Sequence, residues 1–433
     1  MNIFHSVTLD KDRCKGCINC MKRCPTEAIR VRNGKATIIS ERCIDCGECI
    51  RVCQNRAKKA VTDSLSMLEN FKYNVALPAP SFYGQFNNLG DINYILTGLL
   101  DCGFDMVYEV STAAEIISDI TRRLINNDDT LKKPVISSAC PAVLRLIRVR
   151  FPELCNNVLP IMAPVDLAAK NAREQAIAKT HLKSEEIGVF FISPCPAKVT
   201  AIHSPIGITD KNIDGAIAVS EVYKKILSPM KNIETPKPLS NSGIVGISWG
   251  STGGESSALL KERYLAADGI ENVITVLEEM EDEKLNNLDF IELNACPGGC
   301  VGGVLNMENP FVAKARIQRL RKYLPLSCNK FEGTDYSETS WTTPLTYTPI
   351  LKLSDSLSEA MQLESEIEKL TESLPGLDCG SCGAPSCRAF AEDVTRGLAN
   401  INDCVISINE EIQRKLKETG DFEESYIPAP FRK

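Results

Sequence analysis

Residues 289–303 read "DFIELNACPGGCVGG", an apolar run that stops abruptly at a turn with two cysteines and four glycines. A run of this length, bounded by Gly and Pro, is typical of a buried β-strand. Two further stretches have the same form, namely "PVISSACP" (134–141) and "IGVFFISPCPAK" (187–198). In each of the three, a cysteine follows the carboxyl end of the predicted strand.

Two more apolar runs, "YNVALPAPS" (73–81) and "GIVGISWGSTGG" (243–254), are also predicted to be strands. Helical stretches such as 164–181 and 310–324 lie between the runs. Strands that alternate with helices predict an α/β architecture with largely parallel sheets. Ligands of such sheets bind in the crevice beyond the carboxyl ends of the strands. We therefore expect four thiols from three loops to converge on one site: Cys140, Cys195, Cys296 and Cys300.

Eight cysteines near the amino terminus form two runs, "CKGCINCMKRCP" (14–25) and "CIDCGECIRVCQ" (43–54). Each has the spacing C-x2-C-x2-C-x3-C, in which three thiolates hold one 4Fe-4S cubane and the fourth reaches the other cubane. The doubled spacing disfavours a zinc site or free thiols, and Gln54 replaces a second proline without removing a ligand. The predicted ligands are Cys14, Cys17, Cys20 and Cys53 for the first cubane, and Cys43, Cys46, Cys49 and Cys24 for the second.

Four more cysteines lie near the carboxyl terminus, in "LDCGSCGAPSC" and "INDC". They are Cys379, Cys382, Cys387 and Cys404, and their spacing resembles that of the small helical 4Fe-4S domain of corrinoid iron-sulfur proteins. Tetrahedral zinc also accepts four thiolates, so the spacing alone leaves both metals open. The ferredoxin-like runs in the same chain favour a cubane. The preceding stretch, "SDSLSEAMQLESEIEKLTESL", predicts a helix that docks or spaces this domain.

Composition restricts the class of protein. The chain has 433 residues, a net charge of −7 and no dense run of Lys or Arg, which argues against a nucleic-acid partner. It shows no signal-peptide pattern at its start and no apolar stretch of the roughly 18 residues that a membrane span needs. We therefore expect a cytoplasmic protein with no membrane span. In a reducing cytosol, 19 cysteines point to metal sites rather than to disulfides.

Three cysteine motifs occur in a fixed order: "SSACP" (137–141), "PCPAK" (194–198) and "ELNACPGGCVGG" (292–303). The chain also carries "APS" at 79–81 and "STGG" at 251–254. This ordered set resembles the signatures of iron-iron (FeFe) hydrogenases, T-S-C-C-P, P-C-x-x-K and E-x-M-A-C-x-x-G-C-x-x-G-G. The resemblance covers the ferredoxin-like region and the whole middle domain, and the set is far more specific than any single motif.

The resemblance implies a two-lobed α/β hydrogenase domain with parallel or mixed sheets, which holds an H-cluster. In that cofactor a 4Fe-4S cubane is joined through one cysteine sulfur to a two-iron unit with CO, cyanide and dithiolate ligands. By motif position, Cys140, Cys195 and Cys296 would hold the cubane. Cys300 would hold the cubane and also bridge to the two irons.

The same resemblance assigns four further residues to the cofactor. Lys198 and Ser81 would each contact a cyanide, and Pro80 and Pro194 would lie beside them. The chain would then carry four 4Fe-4S clusters, with a two-iron unit added by maturation factors. The implied partners are hydrogen, protons and a redox protein such as a ferredoxin or a signalling protein.

Ala139 stands where ordinary members of the family have a proton-transferring cysteine. A thiol, with a pKa near 8.5, can exchange a proton, and a methyl group cannot. Leu159 aligns with the family's serine, and the helix "ISDITRRL" lacks its glutamates, which leaves Asp119 as a candidate substitute. Asn294 and Ser193 replace methionines. The pattern resembles the sensory branch of the family and predicts a slow hydrogenase that senses hydrogen or redox state.

Two alternative functions stay open at this point. Relatives in cytosolic iron-sulfur assembly keep the four cysteines without a two-iron unit, so the chain could be a cluster scaffold or interaction protein. A plain polyferredoxin would leave the α/β middle domain unexplained. The predicted domains are a two-cluster ferredoxin-like domain (1–62), the hydrogenase-like domain (63–328), a surface linker (329–352) and a helical 4Fe-4S domain (353–433).

Overall fold

A computed structural model describes residues 4–350 and 352–419. They form two compact units. The larger unit comprises residues 4–8, 44–51 and 59–348. The smaller unit comprises residues 9–43 and 52–58 together with the described residues from 349 onward. The ferredoxin-like region therefore contributes to both units, and the smaller unit combines most of it with the carboxyl-terminal domain.

The secondary structure follows the sequence pattern at most positions. The strands are β1 (Val7–Leu9), β2 (Ile29–Arg32), β3 (Lys35–Ile38), β4 (Lys58–Ala60), β5 (Tyr73–Pro78), β6 (Met106–Val107), β7 (Val135–Ile136), β8 (Ile187–Ser193), β9 (Gly215–Ala218), β10 (Tyr264–Asp268) and β11 (Phe290–Asn294). The α-helices are α1 (Asn19–Lys22), α2 (Glu48–Arg51), α3 (Asn93–Asp101), α4 (Val110–Asn127), α5 (Pro141–Arg150), α6 (Pro164–Thr180), α7 (Pro196–His203), α8 (Val219–Lys231), α9 (Ile244–Ser248), α10 (Gly254–Ala258), α11 (Ile270–Glu281), α12 (Pro310–Arg321), α13 (Leu357–Ser373), α14 (Cys387–Thr395) and α15 (Val405–Thr419).

The first sheet of the larger unit has the order β6-β5-β8-β9, and all its strands are parallel. Every residue of β8 is buried, as expected for a parallel strand covered on both faces. Val189 and Phe191 point to a core with α4 and α6, whereas Phe190 and Ile192 point to a core with α3 and α8. Each such side chain stabilises the fold by about 1.5–3 kcal/mol.

The second sheet has the order β10-β11-β7 and is also parallel. Phe290 of β11 and Val135 of β7 belong to the same core as β5 of the first sheet, so the two sheets share one apolar layer. Ile291 and Leu293 face the opposite way, against α5 and α11. The expected α/β class with parallel sheets in two lobes is therefore confirmed.

The predicted strand at 243–254 is wrong. The segment forms α9, a turn and α10 instead. Gly246 explains the difference, because a Cβ atom there would lie 2.2 Å from the backbone oxygen of Ser111, so only glycine lets α9 approach α4 this closely. A short apolar run cannot be assigned to strand or helix by periodicity alone, and here tertiary packing decides.

In the smaller unit, β2 and β3 pair as an antiparallel hairpin. The predicted carboxyl-terminal helix is present as α13, and it packs against α14 around Ile367 and Phe390. The predicted surface linker is mostly exposed, and its residues up to 348 belong to the larger unit. There the Trp341 backbone N–H donates to the Pro160 oxygen at 2.8 Å. No helix in the described part of the chain is long and apolar enough to cross a membrane.

Candidate metal centre

Three of the loops that leave the two sheets carry the predicted cysteines. Cys140 follows β7 and caps the amino end of α5, and Cys195 follows β8 and caps α7. Cys296 follows β11, and Cys300 begins a 3-10 turn over Cys300–Gly302. The strands are parallel, so the thiols are brought together at the carboxyl ends of both sheets.

The four thiols lie close enough to influence one another. Burial raises the pKa of the Cys195 thiol to about 12; Lys198 opposes this, and Cys300 and Cys140 add to it. Burial likewise raises the pKa of Cys296, with Cys195 contributing. No three of the four sulfur atoms lie within 4.8 Å of one another.

Close backbone packing joins the loops of Cys195 and Cys300 to each other and to the "STGG" turn. A Cβ atom on Gly303 would lie 2.2 Å from the Pro194 oxygen, so the loop after Cys300 contacts the loop that carries Cys195. Gly299 has a φ of +88°, and a Cβ atom there would lie 2.5 Å from the Thr252 nitrogen. Glycine alone tolerates that φ without strain. The "GG" pairs of the third motif therefore fix the distance between the cysteine loops and the "STGG" turn.

A cavity lies beside Cys300, and its wall carries three of the four residues predicted to lie at the cofactor, namely Pro80, Pro194 and Lys198. The wall includes Pro80, Pro194, Lys198, Ala139, Asn294 and Trp249. The Lys198 ammonium donates to the Ala139 oxygen at 3.4 Å. Ser81, next to Pro80, is fully buried, and its hydroxyl has no hydrogen-bond partner among the described residues. A buried ammonium and a buried hydroxyl without a hydrogen-bond partner are donors that suit anionic ligands of a bound metal unit.

The chain matches known protein families over three segments. The profile described as "Iron only hydrogenase large subunit, C-terminal domain" matches residues 72–265 and 256–304, more than half of the chain. The chain belongs to the iron-only hydrogenase family. A 4Fe-4S dicluster domain matches residues 6–54, and an Fe-S cluster domain matches residues 374–406. Iron–sulfur clusters are thus supported at both ends of this hydrogenase-family chain.

Several named hydrogenases resemble the chain. Iron hydrogenase 1 of Clostridium pasteurianum is 24% identical over 73% of this chain and 68% of that protein. The periplasmic Fe hydrogenase large subunit of Nitratidesulfovibrio vulgaris is 24% identical over 69% and 86%. The NADP-reducing hydrogenase subunit HndD of Solidesulfovibrio fructosivorans is 24% identical over 46% and 43%. Among solved structures, a variant of the FeFe-hydrogenase HydA1 from Chlamydomonas reinhardtii has 16% identity and a TM-score of 0.47, covering 60% of this chain and 88% of that one.

The segment with the second cysteine run packs against this hydrogenase centre within the larger unit. Gly47, between Cys46 and Cys49, lies against the side chains of Pro196 and Val304. Arg51 donates to the Gly302 oxygen at 2.8 Å. Two of the predicted ligands of the second cubane therefore lie next to the loops of Cys195 and Cys300.

Three of the ferredoxin-type thiols in the smaller unit receive backbone hydrogen bonds. The Ala28 N–H donates to Cys24 Sγ at 3.2 Å, and the Ala57 N–H donates to Cys53 Sγ at 3.2 Å. The Ala36 N–H donates to Cys14 Sγ at 3.4 Å. Such N–H···S bonds stabilise thiolate charge and tune the potential of a cluster.

The four carboxyl-terminal cysteines, Cys379, Cys382, Cys387 and Cys404, line one small cavity. No three of their sulfur atoms lie within 4.8 Å of one another. The Cys387 N–H donates to the Asp378 carboxylate at 2.6 Å, and the Ser407 hydroxyl donates to Cys404 Sγ at 3.2 Å. The match of residues 374–406 to an Fe-S cluster domain favours an iron–sulfur cluster over zinc at these cysteines.

Two buried carboxyl groups in the cavity wall escaped sequence reasoning. Glu255 and Glu292 both line the cavity beside Cys300. Burial, together with the charge of Glu292, raises the pKa of Glu255 to about 8, and Ser137 Oγ donates to its carboxyl at 2.6 Å. Glu292 accepts bonds from Asn294 Nδ2 and from the Ser256 hydroxyl. Two features of the sequence could have indicated these residues. Glu292 is the Glu at the start of the family's third motif, and Glu255 directly follows "STGG".

The positions expected to carry protons in ordinary family members hold other groups here. Leu159 is buried in the apolar core. Asp119 pairs with Arg122 and, at 2.7 Å, with Arg123 on its own helix, so its carboxylate is already engaged by two cations. Ser193, which is outside the proton route and replaces a methionine of the family, donates to the Cys195 oxygen at 3.0 Å. These contacts give each residue a structural role.

Proposed function

We propose that this iron-only hydrogenase family member oxidises hydrogen slowly, as H2 → 2 H+ + 2 e−, and serves as a sensor of hydrogen or redox state. One observation carries the proposal: the Ala139 methyl group lines the cavity beside Cys300 and Lys198, where it offers no exchangeable proton. An enzyme whose electron path is intact but whose proton exchange is weak would change its redox state readily and turn over slowly.

The cofactor of this proposal is an H-cluster, and its two-iron unit, inserted by maturation factors, would supply the cleavage of hydrogen. Cys140, Cys195 and Cys296 would hold its cubane, and Cys300 would bridge to the irons. The Lys198 ammonium is aimed into the cavity from the first turn of α7, so it would balance the charge of one cyanide. The orphaned Ser81 hydroxyl would donate to the other, and Pro80 and Pro194 would exclude water from it.

Glu255 is the group that we propose exchanges protons in place of the missing thiol. A general acid or base works best when its pKa lies near the working pH, and burial raises the pKa of Glu255 to about 8. Its hydrogen bond to Ser137 extends to the Ala139 N–H, which donates to Ser137 Oγ at 3.2 Å. This network remains inside the buried wall and gives a slower exchange than a mobile thiol at position 139.

The rest of the chain would carry electrons and signals. We propose four 4Fe-4S clusters held by 16 of the 19 cysteines, in the domains 1–62, 63–328 and 353–433 joined by a linker at 329–352. The relatives include a subunit of an NADP-reducing hydrogenase and a subunit of an ion-translocating oxidoreductase, which is consistent with a redox protein as partner. A cytoplasmic location fits this role.

The test is the variant Ala139→Cys in matured protein. We expect infrared bands of CO and cyanide in parent and variant alike, and about a 10²-fold gain in hydrogen evolution in the variant. Ala114→Cys is the control, because Ala114 lines the same cavity; Ala114 is fully buried, whereas Ala139 is half-buried. A parent as fast as the variant would overturn the sensor proposal. A matured parent without CO and cyanide bands would favour the cluster-scaffold function.

A further inference from the structure

The loop that carries Cys379 and Cys382 lies directly on the ferredoxin-like part of the smaller unit. The Lys22 ammonium, at the end of α1, donates to the backbone oxygens of Asp378 at 2.5 Å and Pro385 at 2.8 Å. Arg32 of β2 donates to the Cys382 oxygen. Two cations of the ferredoxin-like region therefore hold the backbone of the carboxyl-terminal cysteine loop.

The contact at Gly383 leaves no space for any other residue. The Val31 N–H donates to the Gly383 oxygen at 2.9 Å. Gly383 has a φ of +83°, and a Cβ atom there would lie 1.9 Å from the Val31 oxygen. Any other residue would be strained in this conformation and would also collide with the backbone of β2. The loop is thus shaped to fit the strand.

Buried ion pairs fix the neighbouring helix α14 to the same surface. Arg30 pairs with Asp393 at 2.7 Å, and Arg32 pairs with the same carboxylate at 2.8 Å. Arg42 pairs with Glu392 at 2.6 Å. The Arg30 and Asp393 side chains are each only 6% exposed, so removal of Asp393 would leave the buried Arg30 charge without its ion-pair partner.

The cysteine loops of two predicted clusters meet at this surface. A Cβ atom on Gly380 would lie 3.0 Å from Met21 Cε and 3.4 Å from Ile18 Cδ1. Ile18 follows Cys17 and Met21 follows Cys20, two expected ligands of the first ferredoxin cubane. Met21 is fully buried, so protein rather than water fills the space between the two loops. Cys379 itself is exposed to solvent.

We propose that this surface is an electron junction, at which the carboxyl-terminal cluster exchanges single electrons with the first ferredoxin cluster. The reduced cluster loses one electron, the oxidised cluster gains it, and no proton or atom moves. An external one-electron carrier would then exchange electrons with the chain's clusters at the exposed Cys379. The inference depends on the cluster count of the proposed function and is independent of its hydrogen chemistry.

The first experiment compares the reduced EPR spectra of reconstituted full-length protein and its Cys404→Ala variant, both without the two-iron unit. Loss of the carboxyl-terminal cluster should remove four irons and also sharpen the signal of the first ferredoxin cluster, because a neighbouring spin is lost. If the parent spectrum equals the variant spectrum plus one isolated cluster signal, the two clusters are not neighbours and the proposal is overturned.

The second experiment tests the route. Stopped-flow reduction of the ferredoxin clusters by a reduced external ferredoxin should slow at least tenfold in Cys404→Ala, and an unchanged rate would overturn the proposal. The double variant Arg30→Gln/Arg32→Gln should keep its iron content. It should lose the spin interaction between the two clusters and the fast reduction of the ferredoxin clusters. Arg388→Gln is the matched control, because its ion pair with Glu364 lies within the carboxyl-terminal part and should leave both readouts unchanged.

Discussion

Ala139 and Glu255 lie in the wall of the same cavity, and only the second has a proton to exchange. The sequence predicted the loss at Ala139 because the neighbouring motif fixes its alignment. It did not predict a role for Glu255, because that residue comes from a separate segment and its pKa is raised by burial and by the charge of Glu292, which only the fold brings together. Motif spacing therefore predicts candidate metal ligands, whereas a buried carboxyl from a separate segment is found only in the structure.

Replacing Glu255 with Gln should lower hydrogen evolution of the matured protein about 10²-fold, since the amide keeps the shape and removes the exchangeable proton. The infrared bands of CO and cyanide should stay in place, and they are the measure of an intact cofactor. The exposed Glu262→Gln change serves as the control. Full activity in Glu255→Gln would exclude this carboxyl from proton exchange.

The stability of the protein should also depend on Glu255. Its carboxyl keeps a proton up to about pH 8 in the folded state, whereas an unfolded Glu releases it near pH 4.3. Between these values the unfolded state binds fewer protons, so stability falls as the pH rises. From pH 6 to pH 8 the thermal midpoint should fall less in Glu255→Gln than in the parent, by an amount equivalent to about 2 kcal/mol. Equal falls in both proteins would contradict the raised pKa.

Ser81→Ala tests the orphaned hydroxyl. If Ser81 donates to a cyanide, its removal should shift one cyanide band in the infrared spectrum and leave the other bands and the iron content unchanged. Ser111→Ala is a suitable control, because Ser111 is also fully buried but its hydroxyl bonds to Ser242 at 2.7 Å. An unshifted spectrum in Ser81→Ala would show that the hydroxyl has no part in holding the cofactor.

At the scale of elements, the strands that are followed by cysteine loops were the most predictable part of the fold. β7, β8 and β11 lie where the apolar runs indicated, because each run is bounded by a turn and buried on both faces. α9 was not predictable, since its six-residue apolar pattern fits either a strand or a helix. Its helical form depends on the contact of Gly246 with α4, and no local pattern encodes that contact.

Gly303→Ala should test how tightly the cysteine loops are joined. The added methyl group would collide with the Pro194 oxygen, so we expect a loss of stability of about 1–3 kcal/mol and incomplete assembly of the central cubane. Thermal unfolding and iron analysis measure the two effects. Gly90→Ala is the control, because a Cβ atom there meets nothing within 4 Å. Similar behaviour of the two variants would mean that the loops tolerate separation.

At the scale of the whole molecule, the iron content should report the number of clusters. Four cubanes give about 16 irons in reconstituted protein, and maturation adds two. Replacing Cys382 with Ala should remove about four irons, while replacing the unassigned Cys155 should remove none. If the parent holds about 12 irons and Cys382→Ala leaves that number unchanged, the carboxyl-terminal cysteines do not hold a cluster.

Residues 44–51 belong to the larger unit, although they lie inside the ferredoxin-like region of the chain. Ile44 is buried in the same apolar core as Ile136 and Val143. The predicted domain boundary between residues 62 and 63 is therefore not a site at which the amino-terminal region could be exchanged as a self-contained domain. A chimera that exchanges the whole amino-terminal region for a foreign ferredoxin would remove part of the hydrogenase core. Recombination between family members is therefore restricted to donors whose own segment matches the eight residues 44–51.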